Sequence, residues 1–155
     1  MRSRGLVNNT VMRMNIEYPA LLMSQRHFEG GFKNYRELAH CGVVNLEKGS
    51  FLGYTIFDSD GNEFIIKSAK KGKLYNPLNP FNIFKKYREI IAELEIEKTK
   101  TVEFEELKNK ISEILHSKKI DGSPFLNKEK DINEFLNQFS STRQLVSEIG
   151  FFSYK

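Results

Sequence analysis

Apolar residues alternate with polar ones in two short runs on either side of a polar turn. The runs consist of Leu52, Tyr54 and Ile56 before the turn and of Phe64 and Ile66 after it. A period of two residues is the spacing of a β-strand. The turn, residues 58–62, contains an Asp-Gly step, which favours a hairpin because glycine accepts positive φ without steric cost. The pattern predicts a central β-hairpin over about 51–68, which needs a further strand or a helix to be stable in water.

A second alternating run follows over residues 90–98. Ala92, Leu94 and Ile96 are interleaved with Glu93, Glu95 and Glu97. This pattern predicts a half-buried strand with an acidic, solvated face. A helix is the competing interpretation, since Glu and Leu favour helices, but strict alternation does not give an amphipathic helix.

The first third of the chain carries weaker signals. Residues 15–18 predict a short edge strand that ends at Pro19, because proline lacks a ladder donor. Apolar residues at helical spacing predict a short helix over 33–41, with Gly42 in the place of a left-handed C-terminal cap. The apolar run at 43–46 predicts a strand that leads towards the hairpin. The pair Gly30-Gly31 predicts a break in regular structure.

Helical periodicity dominates the last third of the chain. Residues 103–117 carry an apolar stripe, with acids in the first turn and basic groups in the last, as the helix dipole favours. Two shorter helices are predicted near 129–139 and 141–149, the latter from a capping-box pattern that begins at Ser141. Strands early and helices late indicate an α+β fold, with an antiparallel sheet built around the hairpin and the strand near 90–98.

Composition sets the class of the protein without naming a function. The chain has 155 residues, of which 39% are hydrophobic, enough for one α+β domain that we place at 15–155. No apolar run approaches the roughly 18 residues of a membrane span, and no signal-peptide pattern opens the chain. A single cysteine, Cys41, forms no internal disulfide, which agrees with a reducing compartment. We therefore expect a cytoplasmic protein that does not act at a membrane.

Charge is unevenly distributed along the sequence. The formal net charge is +4, and much of it comes from residues 1–14, which contain Arg2, Arg4 and Arg13 and no acid. We expect this segment to be a flexible N-terminal extension that takes no part in the fold.

The sequence gives little support for a catalytic site or a metal-binding site. Asp58, Asp60 and Asn62 alternate as in a calcium loop, but the positions that require Gly and Glu hold Glu63 and Ala69. A hairpin turn explains the same residues. The three acids of residues 93–97 share one face of a strand. Acids grouped in this way occur in metal-dependent nuclease sites, but a solvated strand face is the simpler interpretation.

The histidines and the cysteine also lack a motif. His40 and Cys41 are adjacent, but a structural zinc site needs further ligands that no second cysteine or paired histidine supplies. Cys41 as a nucleophile, with His27 or His116 as its base, has no local support in the sequence. Phosphate-binding and hydrolase motifs are also missing. We expect no catalytic residues, no metal and no cofactor.

The most suggestive segment is 64–88, which contains no acid. Its aromatic residues are interleaved with cations, a composition that suits phosphates and bases, an acidic protein surface, or a solvated loop whose rings point into the core. The candidate binding residues are Lys67, Lys70, Lys71, Lys73, Tyr75, Lys85, Lys86 and Arg88.

The sequence therefore predicts a non-catalytic module that binds another macromolecule. The first hypothesis is a protein partner with an acidic surface, contacted by the hairpin tip and the lysine-rich segment. An immunity protein that neutralises a bacterial toxin is a specific form of this hypothesis, by analogy of size and lack of motifs alone. The alternative is a nucleic-acid-binding protein that uses residues 64–88. The oligomeric state stays open.

Overall fold

The described strands form one antiparallel sheet, in the order Phe28–Phe32, Ala20–Met23, Thr55–Phe57, Asn62–Leu74, Glu89–Thr101 and His40–Gly42. We analysed a computed structural model that describes residues 15–24, 28–117 and 129–152. Residues 1–14, the expected extension, lie outside this range. The strands are β1 (Ala20–Met23), β2 (Phe28–Phe32), β3 (His40–Gly42), β4 (Thr55–Phe57), β5 (Asn62–Leu74) and β6 (Glu89–Thr101). The helices are α1 (Tyr35–Leu38), α2 (Val43–Glu47), α3 (Phe104–Ser117), α4 (Glu129–Leu136) and α5 (Thr142–Phe152). The α+β prediction is confirmed.

A long two-stranded ribbon, β5 and β6, runs through the middle of the sheet. The predicted hairpin is present as β4 and β5, although its first arm begins only at Thr55. The strand predicted over 90–98 is β6 and extends further at both ends. Because β4 pairs only with the start of β5, residues 67–74 have a strand neighbour on one side alone.

Each face of the sheet carries its own apolar cluster. Leu21 and Met23 of β1 join a cluster with Leu107 and Ile111 of α3 and with buried residues of α4 and α5. The alternate β1 residues, Ala20 and Leu22, join a second cluster with Leu38 of α1 and with Ile56, Phe64, Ile66 and Ala92 of the strands. Successive side chains of a strand point to opposite faces. The sheet is therefore covered by the long helices on one side and by short elements on the other.

The helices of the last third follow the sequence pattern closely. In α3 the predicted stripe is the buried face, with Leu107, Ile111 and Leu115 in the first cluster. Ser141 caps α5, since its hydroxyl accepts a hydrogen bond of 3.3 Å from the backbone N–H of Gln144. The return bond of the capping box is displaced by one residue, because the Gln144 side chain accepts from the backbone N–H of Ser140.

The turn of the β4–β5 hairpin is built on a buried carboxylate. Asp58 is fully buried, and its oxygens accept hydrogen bonds from the backbone N–H groups of Glu17, Asp60 and Asn62 and from the Asn62 side chain. Gly61 has φ of 80°, as the hairpin prediction requires. Because Asp58 is enclosed by its own turn, the expected contact surface at the hairpin tip is not formed by this carboxylate.

Two predictions in the first third were wrong for the same reason. Both assumed that a proline or a glycine pair ends a strand. The segment 15–18 is not a strand, and the strand β1 begins directly after Pro19 instead of ending there. Proline is tolerated at the entry to a strand as well as at its end. Likewise Gly30-Gly31 lies inside β2, where Gly30 pairs with Leu22 and Gly31 with Leu21.

Tertiary packing overrides local propensity around Gly42. The predicted strand at 43–46 is the helix α2, and Gly42 precedes this helix instead of ending another. Val43 is buried, and its backbone N–H donates to the carbonyl of Arg88 at 3.0 Å. The predicted helix over 33–41 is shortened to α1, because His40 and Cys41 pair with β6 as the strand β3. Such contacts routinely outweigh the propensity of β-branched residues.

No helix within the described ranges has the length and apolar character needed to cross a membrane.

Candidate partner-binding site

The segment between β5 and β6 forms the candidate site, and we refer to residues 76–88 as the ridge. Two 3-10 helices, Pro80–Ile83 and Lys85–Tyr87, shape it. Asn79 caps the first of them, since its side chain accepts from the backbone N–H of Phe81 at 3.0 Å, and Pro80 occupies the first helical position. The Asn82 side chain donates to the carbonyl of Asn76 at 2.8 Å. Asparagine side chains thus hold the ridge in one shape.

The ridge concentrates exposed apolar surface. Leu78 is 91% exposed, Ile83 76% and Phe81 57%. Together with Phe84 and Tyr87 they make up five of the seven large apolar side chains that are exposed in the described part of the chain. Single exposed apolar residues are ordinary on a protein surface, whereas several of them within one short segment favour an interaction site.

The three aromatic rings of the ridge pack against one another edge to face. The Tyr87 ring centroid lies 6.1 Å from that of Phe81 and 6.3 Å from that of Phe84, at steep interplanar angles. The Lys86 ammonium lies 4.6 Å from the centroid of the Tyr87 ring, a cation–π contact. The rings therefore form one apolar cluster and not a row of parallel platforms.

The predicted cations of the ridge have different surroundings. Lys85 is paired with Glu47 of α2 at 2.7 Å, with both side chains largely exposed, so the pair adds little stability. Arg88 is half-buried, and its Nε donates to the carbonyl of Asn82 at 2.7 Å. Lys86 is exposed beside Tyr87. No carboxylate of the described residues lies within 4.0 Å of Lys86 or Arg88, which leaves both available to an external anion.

The predicted lysines of β5 line the half of the strand that has only one strand neighbour. Lys67 is paired with Glu97 at 3.1 Å. Lys70, Lys71 and Lys73 are exposed, and within the described ranges no carboxylate reaches them at 4.0 Å. Register shifts interrupt the pairing with β6 near these lysines. Lysines and bulges are the features that keep an open strand edge from pairing with another chain, so these side chains have a structural role whether or not they bind a partner.

Tyr75 is held at the base of the ridge by side-chain contacts. Its ring stacks on that of His40 with centroids 3.9 Å apart, and the Arg36 guanidinium lies 4.7 Å from the same ring centroid. Arg36 also donates to the carbonyl of Tyr75 at 3.0 Å. The His40 Nε2 is 3.3 Å from a Glu89 carboxylate oxygen, although it makes no hydrogen bond to a described residue. The structure thus places Tyr75 in an internal stack next to the other candidate residues.

Cys41 does not have the surroundings of an activated nucleophile. Burial raises the pKa of its thiol, which lowers the fraction of thiolate. His116 is engaged within α3, where its Nδ1 lies 2.7 Å from the carbonyl of Ser112. His27 lies outside the described residues. Over the part of the chain that the structure describes, no three residues of His, Cys, Asp or Glu are grouped as a metal site would require.

Two contributors to the site, Leu78 and Ile83, were missed in the sequence. They have no periodic apolar neighbours, and nothing local distinguishes them from core residues. The available signal was the pair Pro77 and Pro80, which flanks Leu78 and precedes Ile83, since prolines so close together favour a surface loop. Comparison with protein-family models, with curated proteins and with solved structures finds no match for this chain. The interpretation of the site therefore depends on its own geometry.

Proposed function

We propose that this protein is a non-catalytic binding module whose ridge docks on the acidic surface of a protein partner. The observation that carries the proposal is the cluster of exposed apolar side chains at Leu78, Phe81, Ile83, Phe84 and Tyr87. Protein interfaces combine such an apolar centre with a polar rim, and aromatic and arginine residues are enriched in them. Here the ridge supplies the cations Lys86 and Arg88 to such a rim, and residues 64–88 themselves contain no acid.

The shape of the ridge favours a protein over a nucleic acid. Single-stranded nucleic acids bind through aromatic faces on which bases stack. Here the rings of Phe81, Phe84 and Tyr87 meet edge to face, and Tyr75 is already stacked on His40. The most exposed side chains, Leu78 and Ile83, are aliphatic, and aliphatic groups fit an apolar pocket of a protein better than a polyanion. A nucleic-acid partner of the strand lysines is the second candidate.

Charge also disfavours the ridge of a second copy of the chain as the occupant. Two ridges brought face to face would oppose cations to cations, at a cost of several kcal/mol for like-charge contacts. An acidic partner removes this cost and accelerates association. We place the interaction in the cytoplasm as part of the proposal, and a toxin neutralised by this protein is one form that the partner would take.

The proposal is tested by site-specific photocrosslinking in cells of the source organism. A benzophenone amino acid replaces Leu78 on the ridge and, as a matched control, Leu52, which is 61% exposed in the loop before β4. We expect a discrete adduct from position 78 that is sensitive to protease and resistant to nuclease, and none from position 52. An adduct sensitive to nuclease would support the second candidate. Equal adducts at both positions, or none at position 78, would overturn the proposal.

A further inference from the structure

An open groove lies between the end of β5 and the ridge. Its volume is about 380 Å³, and it is lined by Lys71, Gly72 and Leu74 of β5 and by Asn82, Ile83 and Arg88 of the ridge. A volume of this size accommodates an amino-acid side chain together with part of its backbone. The groove adjoins the exposed apolar cluster, since Ile83 belongs to both.

Gly72 forms part of the groove wall, and no other residue fits its place. A Cβ atom at this position would overlap the carbonyl oxygen of Ile91 on β6. The pairing of β5 with β6 is irregular at this point, between Lys70 and Lys73. Glycine in a strand often marks such a bulge or a close approach of two backbones. Gly72 thus allows the backbones of β5 and β6 to approach closely beside the groove, next to Leu74.

Arg88 is held in place before any partner arrives. Its Nε donates to the carbonyl of Asn82 at 2.7 Å, while Asn82 is bonded through its side chain to Asn76 and through its backbone to Asn79. The Arg88 side chain therefore has reduced freedom at the edge of the groove. A guanidinium fixed in this way loses little entropy when it binds a carboxylate. Lys71, which also lines the groove, supplies a second cation.

We propose that this groove is the anchor pocket for one apolar side chain of the partner that lies next to a carboxylate, a deepening that rests on the proposed function. Leu74 and Ile83 offer apolar contacts to this side chain. Arg88 and Lys71 pair with the carboxylate, and the described lining contains no acid that would compete for them. Charged hydrogen bonds of this kind are stronger than neutral ones and orient the ligand. A few anchor side chains often carry most of the affinity of a protein interface.

The test is an NMR titration of the ¹⁵N-labelled full chain with N-acetyl-L-leucine, which carries both groups. The matched probe is N-acetyl-L-leucinamide, which has the same side chain and no charge. We expect saturable shifts of the Lys71, Leu74, Ile83 and Arg88 amide signals, with a dissociation constant in the millimolar range. The amide probe should bind about ten-fold more weakly. Shifts that are absent, or equal for both probes, would overturn the inference.

Variants separate the anchor pocket from general charge effects. Arg88→Gln and Ile83→Ser should each weaken N-acetyl-L-leucine binding about five-fold or more, whereas Lys48→Gln, an identical loss of charge at an exposed residue outside the groove, should leave it unchanged. If Arg88→Gln disturbs the ridge, Lys71→Gln provides the same test from β5. Crosslinking at position 78 without binding of the probe would retain the proposed function and reject the anchor pocket. Binding of the probe without crosslinking at position 78 would show a groove that binds the probe but would reject the proposed function, and with it the groove's role as an anchor for a partner.

Discussion

The backbone N–H of Asn62 donates a hydrogen bond of 2.8 Å to the buried carboxylate of Asp58. The same carboxylate also accepts from Asp60, from the Asn62 side chain and from the backbone of Glu17, which lies 41 residues earlier in the chain. Next to it, Ser59 donates to the carbonyl of Pro19 at 2.7 Å. One turn thus closes the central hairpin and attaches the entry of β1 to it. Asp58, one of the residues that resemble part of a calcium loop, is therefore used for structure.

Asp58→Ala should therefore destabilise the protein strongly. The substitution leaves the backbone donors of Glu17, Asp60 and Asn62 without their acceptor, and each buried unsatisfied group costs about 1–3 kcal/mol. We expect a loss of about 3 kcal/mol in the free energy of unfolding, measured by urea denaturation. Asp60→Asn is the control, because the Asp60 side chain is exposed, and it should change stability by less than about 0.5 kcal/mol. Equal effects of the two substitutions would contradict this account of the turn.

A second prediction concerns Glu63, which joins β5 to α3 through Lys110 at 2.9 Å. Burial by itself raises the pKa of Glu63, but hydrogen bonds from Lys110 and Thr99 and the nearby cations outweigh it, so the pKa is lowered from 4.5. A lowered pKa in the folded state stabilises the protein above the unfolded-state pKa, and this contribution is lost as the pH falls through the folded-state pKa. Glu63→Gln should therefore cost about 1 kcal/mol at about pH 7 and much less at about pH 3.

Urea denaturation of the wild type and of Glu63→Gln at these two pH values measures the difference. Glu105→Gln is the control, because the Glu105 side chain is largely exposed and its contact with Lys108 is 3.8 Å. Its effect should be small at both pH values. A cost for Glu63→Gln that does not change with pH would show that the carboxylate charge contributes nothing.

Gly72→Ala should damage the sheet at the groove. The new Cβ would overlap the Ile91 carbonyl, so β5 and β6 must separate locally, at a cost of about 1–3 kcal/mol. Gly42→Ala is the matched control, because its Cβ would meet only the Asn45 side chain at 3.9 Å and its φ is −75°. Thermal unfolding of both variants measures the difference. A Gly72→Ala protein as stable as Gly42→Ala would refute the close approach of the two strands.

The sequence predicts those parts of the structure that depend on contacts between residues close together in the chain. The hairpin turn, the strand β6 and the helices of the last third are set by local features such as the Asp-Gly step and the apolar stripe that includes Leu107 and Ile111. Local features do not determine the region around Gly42. There the backbone N–H of Val43 donates a hydrogen bond to the carbonyl of Arg88, which lies far along the chain. No periodic pattern records such a contact.

The candidate site was predictable in its location and only partly in its members. Residues 64–88 contain no acid, and the candidate residues Lys85, Lys86 and Arg88 lie on the ridge. The roles of the others depend on three-dimensional neighbours: Tyr75 is stacked on His40, and the β5 lysines line an open strand edge. The groove arises from a bulge at Gly72 and from the fold of the ridge. Neither follows from the alternation of apolar and polar residues along the chain.

Nucleic-acid binding provides a direct contrast between the two candidate functions. If residues 64–88 bind phosphates, affinity for labelled single-stranded RNA or DNA should fall steeply with salt and be lost when Lys70, Lys71 and Lys73 become Glu. We expect only weak binding, with no difference between this variant and one in which Lys33, Lys48 and Lys98 become Glu. Fluorescence anisotropy at low and high salt measures the affinity of the wild type and of both variants. A steep salt dependence that disappears only in the strand variant would establish the nucleic-acid function instead.

The central claim is that the exposed apolar side chains of the ridge bind a protein. The most direct measurement is the calorimetric affinity of the crosslinked partner, once purified, for the wild type, for Phe81→Ala and for Leu52→Ala. The two residues are similarly exposed, at 57% and 61%, so both substitutions should leave the fold intact. We predict that Phe81→Ala weakens binding about ten-fold or more, whereas Leu52→Ala changes it less than about two-fold. Equal affinities of Phe81→Ala and the wild type would contradict the claim.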